Sequence, residues 1–316
     1  MKDRKILYEL DKNSRVSYSN IAKAVRLSQE TVRYRVSNML KKGIINKFFT
    51  VVDSARLGYA FYKVLIKLHN VDAERIQEIV SYLQKKDSVV WIVSIDGSYD
   101  LGFAVKVTNV IELSNLIEDL NEKYNMFISR RVISINIIGE YLLRDYFINK
   151  ERQIKEQVSY TAQFKPYKID EKDKEIIRQL TKDSRISAID IAKKLNISSD
   201  SVIQRLRKLE KEKVITRYNI VLNHNKLKQL QYKILLYLNH VSPEKIRSFI
   251  NYCRTKSNIV YIIKSLGEWD YELDIEVENV EDYRRVMRDL TKEFSEIIND
   301  YNALIITKIH KYNLYQ

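Results

Sequence analysis

Apolar residues recur along the chain at two spacings that alternate in blocks. Near the N-terminus they follow the 3.6-residue period of helices: Ile6, Leu7 and Leu10, then Ile21, Ala22 and Val25, then Val32, Val36, Met39 and Leu40. Ser17 and Ser28 stand just before the second and third runs, where a side-chain oxygen can accept free backbone N–H groups. Residues 3–45 therefore read as three short helices, with Val32, Val36 and Leu40 facing inward on the third. The β-branched and aromatic run Ile45 to Val52 reads as the strand of a small wing beside them. From about residue 59 the pattern alternates between period 2 and period 3.6. It predicts strands at Tyr62 to Leu68, Val89 to Ile95, Leu101 to Val107 and Ile128 to Ile138, and helices at Ala73 to Lys85 and Val110 to Tyr124. A turn at Asp96-Gly97-Ser98 separates the middle strands.

The order β-α-β-β-α-β is the ferredoxin-like arrangement, an antiparallel sheet with helices on one face and the other face in need of cover. A partner sheet is expected to supply it. That partner is visible in the sequence, because a shift of 170 residues lays the chain on itself. Asp3, Ile6, Leu10, Lys12, Ser14, Arg15 and Ser17 fall on Asp173, Ile176, Leu180, Lys182, Ser184, Arg185 and Ser187, and Ile21-Ala22-Lys23 falls on Ile191-Ala192-Lys193. About 15 identities in roughly 43 ungapped positions mark a tandem duplication with a long unit, not a solenoid of short repeats. The expected organisation is a three-helix module over 1–55, a ferredoxin-like module over 59–139, and second copies over 169–225 and 230–312. Between the copies, 140–168 carries Leu142, Leu143, Tyr146, Phe147, Ile154 and Val158 among Arg152, Lys155 and Glu156. It reads as a mostly helical connector, or as one that begins with an extra edge strand. The fold class is α+β.

Charge narrows the function. Lys plus Arg number 55 against 41 Asp plus Glu, a formal net charge of +14, which suits a polyanionic partner. A hydrophobic content of 45% excludes a basic disordered tail. The excess is segregated: residues 1–50 hold 12 basic and 4 acidic side chains and residues 170–222 hold 13 and 9, whereas 59–139 and 230–316 each come out near −1. Two modules that dock on phosphates, each neutralised phosphate releasing counterions, would segregate charge in this way. The single cysteine, Cys253, excludes an intramolecular disulfide and a multi-thiolate metal site within the chain. His69, His224, His240 and His310 are too scattered for a metal centre, so neither metal nor cofactor is expected. The charged start Met1-Lys2-Asp3-Arg4-Lys5 and the lack of any run near the ~18 apolar residues of a membrane span predict a cytoplasmic protein with no membrane partner.

Two short helices a few residues apart form a helix-turn-helix, whose second helix enters the major groove of double-stranded DNA. In the first module Gln29, Thr31, Arg33 and Tyr34 are expected on the outward face. The fork of Arg33 fits guanine O6 and N7, and Gln29 can pair with adenine. Lys23, Arg35, Lys41, Lys42 and Lys47 are assigned to phosphates, with a brace between Arg35 and an acidic neighbour as the structural alternative. In the second module Ser199, Ser201, Ile203, Gln204, Arg205, Arg207 and Lys208 fill the matching region. Ile203-Gln204 replaces Arg33-Tyr34, so the two helices should prefer different half-sites and an asymmetric operator.

The run Asp3-Arg-Lys-Ile-Leu-Tyr-Glu-Leu, with Asn13-Ser-Arg15, Asn20-Ile-Ala22, Leu27-Ser28, Val32, Arg35 and Gly43-Ile-Ile45, resembles the winged-helix N-terminus of the Lrp/AsnC family of regulators. The second copy repeats it with Asp183-Ser-Arg185, Asp190-Ile-Ala192, Ile197-Ser198, Val202, Arg205 and Val214-Ile215, except that Lys213 replaces the family's glycine. Gly97-Ser-Tyr-Asp100 and Gly267-Glu-Trp-Asp270 look like the strand-to-strand turn of the family's effector domain. The resemblance implies that the two ferredoxin-like modules pair their sheets as an intramolecular pseudo-dimer, able to assemble further into homo-oligomers. It also implies a small effector such as an amino acid at Gly97, Tyr99, Asp100, Gly267, Trp269 and Asp270. A sequence-specific, non-enzymatic transcription regulator is the leading expectation. The alternatives are an architectural DNA-compacting protein and an enzyme on the same fold, similar to the tetrapyrrole decarboxylases related to this family.

Overall fold

A computed structural model describes residues 2–152, 158–240 and 242–313. The first module folds as α1 (Lys2–Lys12), α2 (Tyr18–Val25) and α3 (Gln29–Lys41). Ser17 and Ser28 cap α2 and α3 by accepting the N–H groups of Asn20 and Thr31. Ile6, Leu10, Ile21, Val25, Val32, Val36 and Met39 form its core. Met39, not Leu40, completes the inward face of α3: Leu40 is 39% exposed, because at 100° per residue it falls one step past the buried stripe. The second copy has α6 (Glu171–Lys182), α7 (Ala188–Leu195) and α8 (Ser199–Lys211), with a matching core of Ile176, Leu180, Ile191, Val202 and Leu209. Lys213 takes φ +57° where Gly43 takes +66°, so the left-handed turn after the recognition helix survives the loss of glycine.

The wing strands do not form separate wings. β1 (Ile45–Val52) pairs with β7 (Ile215–Leu222) of the other copy in an antiparallel ribbon, Phe48 opposite Ile220 and Thr50 opposite Tyr218.

The first ferredoxin-like module consists of β2 (Ala60–Leu68), α4 (Ala73–Gln84), β3 (Val89–Asp96), β4 (Leu101–Val107), α5 (Val110–Tyr124) and β5 (Ile128–Tyr141). A short strand β6 (Val158–Thr161) pairs with the end of β5. After the second three-helix module and the one-turn α9 (His224–Leu227) come β8 (Leu230–Leu238), α10 (Pro243–Thr255), β9 (Ile259–Leu266), β10 (Tyr271–Val277), α11 (Val280–Glu293) and β11 (Ile298–Tyr312). Beyond their own modules the long strands β5 and β11 run on into the other copy. β5 pairs first with β2 and then with β9, and β11 first with β8 and then with β3. The strands follow one another as β2-β4-β3-β11-β8-β10-β9-β5, and β5 returns to β2. The two sheets are thus closed edge to edge into an eight-stranded antiparallel barrel, and the faces expected to cover one another are its interior. An eight-stranded barrel is just wide enough to be filled by side chains or to hold one small ligand.

The connector departs from the helical expectation. Among the described residues of 140–168 there is no α-helix: β5 ends at Tyr141, a single 3-10 turn spans Asp145–Phe147, and β6 follows as the edge strand. Ile154, Lys155 and Glu156 lie outside the described residues. Tyr146 and Phe147 pack into the core of the first three-helix module instead of forming a stripe of their own.

Candidate nucleic-acid interface and barrel cavity

On α3, Gln29, Arg33 and Tyr34 are exposed and Thr31 is half-buried beside its cap, so the expected reading face is open; Tyr34 reaches 72% exposure. The Arg33 guanidinium lies 6.0 Å from the centre of the Tyr18 ring, which steadies it without covering it. Lys23, Lys41 and Lys42 are exposed as expected. Arg35 instead binds Asp3 at 2.7 Å and ties α3 to α1. Lys47 is turned away from any phosphate: its ammonium donates to the Tyr312 carbonyl at 3.4 Å and burial lowers its pKa. The sequence misplaced Lys47 because it lies on β1, whose alternate side chains face the barrel, not the DNA side.

On α8, Gln204, Arg207 and Lys208 are exposed, Ile203 is 36% exposed, and Ser199 and Ser201 are half-buried around the Ser198 cap. Arg205 bridges Asp170 and Asp173 at 2.7 Å each, repeating the brace of Arg35 and leaving the phosphate set.

Contacts that repeat across the pseudo-twofold set the two recognition helices on one body. Ser14 Oγ meets Ser184 Oγ at 2.6 Å. Arg15 donates to the carbonyls of Ser184 and Ile186, and Arg185 donates to those of Ser14 and Val16. Arg185 also stacks 4.4 Å from the Tyr18 ring. These residues stand out in the sequence only as markers of the repeat. The signal that could have found the contact is an Arg repeated in a helix-to-helix turn, where no helical face accounts for it.

In the turns expected to bind an effector, both carboxylates are held by the backbone of the neighbouring strand. Asp100 accepts the Leu68 N–H and the Lys67 ammonium, and Asp270 accepts the Leu238 N–H, so both carboxylates close the turn onto the neighbouring strand. Tyr99 and Trp269 are buried in the barrel, and the Trp269 indole N–H donates to Glu272. Gly97 and Gly267 adopt φ +142° and +156°; a Cβ on Gly267 would stand 2.9 Å from that of Ser134. Tyr99 and Trp269 thus pack inside the end of the barrel, while Gly97, Gly267 and Asp270 are exposed at the turns and Asp100 is half-buried.

Charges cross the middle of the barrel. Lys63 and Lys233, equivalent in the two copies, both reach Glu272, and Lys233 also reaches Asp274. All four are buried. The first copy has Gly102, Ala104 and Lys106 where the second has Glu272, Asp274 and Glu276, so the layer is lopsided in sequence yet balanced in charge. Burial alone would raise the Glu272 pKa, but the two ammonium groups outweigh it and hold the carboxyl at about 2. Lys63, with one carboxylate and another lysine for company, is pulled down by burial to about 8. Above this layer, under the β1–β7 ribbon, lies a cavity of about 110 Å³. Trp91, Tyr141, Tyr160, Tyr261 and Phe49 contribute its aromatic walls. Arg144 and Glu276 line one side; Arg144 grips Glu276 at 2.8 Å and Asp11 at the end of α1 at 2.6 Å, and His224 meets Glu276 at 2.8 Å. Among the described residues no group of His, Cys, Asp and Glu side chains could hold a metal ion, and no helix is long and apolar enough to cross a membrane.

Known proteins resemble this chain in its helix-turn-helix modules and in its doubled fold. A family of winged helix-turn-helix DNA-binding domains matches residues 2–46 and 169–216. HTH-type transcriptional regulator FL11 of Pyrococcus furiosus is 32% identical over 117 residues, 37% of this chain and 76% of that protein. HTH-type transcriptional regulator LysM of Sulfurisphaera tokodaii is 27% identical over 135 residues, 43% of this chain and 94% of its own. Among solved structures, the siroheme decarboxylase NirDL superposes over 99% of this chain and 93% of its own, with a TM-score of 0.62 and 17% identity. It shares the doubled fold.

Proposed function

The chain belongs to the Lrp/AsnC family of HTH-type transcriptional regulators as a duplicated member, its relatives including the regulatory protein AsnC of Haemophilus influenzae, and we propose that it reads an asymmetric operator with two unequal recognition helices in one chain. The modules 1–55 and 169–225 serve as its DNA-contacting units, and 59–139 and 230–312 as the barrel that sets their geometry. The observation that carries this reading is that α3 presents Gln29, Arg33 and Tyr34 where α8 presents Ser199, Ile203 and Gln204. Arg33 is assigned to a guanine and Gln29 to an adenine, each good pair discriminating by ~1–3 kcal/mol. Lys23, Lys41, Lys42, Arg207 and Lys208 hold phosphates and set the register. Selecting bound fragments from the genomic DNA at stated salt, followed by footprinting, tests this. Two dissimilar half-sites at fixed spacing are expected; a perfect inverted repeat with equal protection would overturn the asymmetry, and equal affinity for random DNA would favour an architectural role.

Catalysis of the kind named for NirDL, whose structure was also solved with an iron-uroporphyrin III analogue, finds little support in this barrel. Asp274 and Glu276 line the cavity and would face the carboxylates of a tetrapyrrole. We therefore assign the chain a regulatory, non-enzymatic role. With the carboxylates of both turns engaged, we also place its effector in the barrel cavity.

A further inference from the structure

We propose that the charged layer inside the barrel is a pairing code, by which the sheet of a first copy closes on the sheet of a second copy and rejects one of its own kind. Lys63 and Lys233 occupy equivalent positions on β2 and β8, but the strands beside them differ: β4 carries Gly102, Ala104 and Lys106 where β10 carries Glu272, Asp274 and Glu276. Cations of the first copy therefore meet carboxylates of the second across the pseudo-twofold. Lys63 donates to Glu272, and Arg144, on the connector that follows the first copy, grips Glu276 at 2.8 Å. Trp91 of the first copy serves both lysines, its ring centre 5.7 Å from the Lys63 ammonium and 5.8 Å from that of Lys233.

Burial gives the code its force. Lys63, Lys233, Glu272 and Glu276 are each no more than 3% exposed, so a charge left over among them is not rescued by water. Like pairs leave such charges. Two first copies closed on one another would bury Lys63 twice with no carboxylate on β4 to meet it. Two second copies would set two Lys233 against two Glu272 and two Asp274, and each Glu276 would lose Arg144, whose counterpart in the repeat is Leu314. Only the mixed pair balances. The apolar neighbours do not discriminate, since Leu65 and Leu235 are equivalent and both are buried in the barrel.

The code also decides which recognition helices share a body. Two chains that exchanged copies to make like pairs would set α3 beside α3 and α8 beside α8, and each body would suit a palindrome; the mixed pair always sets α3 beside α8. This consequence rests on the two-helix reading above, whereas the pairing itself involves no DNA.

The test begins with the folded full chain. A protease recognition sequence inserted between Gln163 and Phe164, in an exposed stretch of the connector, lets it be cut into a first-copy and a second-copy fragment. After unfolding in urea and refolding, native mass spectrometry counts the pairs. Mixed pairs are expected to exceed each kind of like pair by about tenfold or more; the two-to-one ratio of random pairing overturns the proposal. A second measurement uses the uncut chain. Lys63→Glu and Glu272→Lys each lower the melting temperature, and the double variant, which restores opposite charges across the copies, recovers at least half of the larger loss. Should the fragments fail to refold, this measurement alone decides; should the single variants fail to fold, folding of the double variant is the recovery. A double variant no more stable than the worse single one overturns the code. Failure in either measurement leaves the asymmetric operator standing, and a palindromic operator found together with mixed pairs alone faults the DNA reading instead.

Discussion

Replacing Glu272 by Gln keeps the shape of the buried layer and removes one charge. Glu272 is fully buried and serves two ammonium groups, Lys63 and Lys233, while Asp274 serves only Lys233. Without it, two buried cations face one carboxylate, and breaking a buried pair in this way costs about 3–5 kcal/mol. The native carboxyl gives a similar figure: a pKa of about 2 against an ordinary 4.5 is worth roughly 3 kcal/mol at neutral pH. With an unfolding entropy of about 2.1 cal/mol/K per residue, a loss of that size lowers the melting temperature of a chain this long by roughly 5–8 °C. The pH dependence separates this mechanism from simple misfit. A folded pKa below the unfolded one gives stability that is present above about pH 4.5 and lost as pH falls toward 2. The wild type should show that acid loss, and Glu272→Gln should lack this share of it. Lys63 runs the other way: with a folded pKa of about 8 the unfolded chain binds its proton more tightly, so wild-type stability gains from this group as pH rises from 8 toward 10.5. The deficit of Glu272→Gln should accordingly shrink at pH 9.5, where Lys63 no longer has to be charged. Circular-dichroism melts at pH 3, 7 and 9.5 provide the assay. A loss under about 1 kcal/mol at pH 7, or one that is the same at pH 7 and 9.5, would refute the electrostatic argument.

Other outcomes follow from single contacts. Arg185→Ala removes the donor to the Ser14 and Val16 carbonyls and should cost about 2 kcal/mol in urea unfolding; it should also loosen the fixed half-site spacing seen by footprinting. Lys41→Ala should weaken binding to all sequences and reduce the salt slope by about 1 in a titration, whereas Arg33→Ala should relax the preference at one base pair. Gly139→Ala would drive a Cβ into the Tyr160 ring; a destabilisation of roughly 1–3 kcal/mol and an altered near-ultraviolet spectrum are expected. The thiol of Cys253 is fully buried and its pKa is pushed up by that burial, so the native protein should react with a thiol reagent only on unfolding.

The sequence by itself determined the local elements. The 3.6-residue stripes, the Ser caps and the period-2 strands depend on neighbours in the chain, and β4 and α5 span the residues that periodicity assigns them. Segregated charge and the 170-residue register likewise located both DNA-binding modules and exposed the difference between Arg33-Tyr34 and Ile203-Gln204. What the chain could not disclose is where a polar face goes. Glu272-Leu-Asp-Ile-Glu276 alternates like a strand with one wet side, and Lys47 looks like any basic residue beside a recognition helix. Only closure of the barrel, through the crossing halves of β5 and β11, turns those faces inward, where Glu272 meets two lysines and Lys47 meets a carbonyl. Alternation specifies that a strand has two sides, but pairing between residues as distant in sequence as Trp91 and Tyr312 decides which side meets water. Pairing of the wing strands likewise joined the two recognition helices into one body.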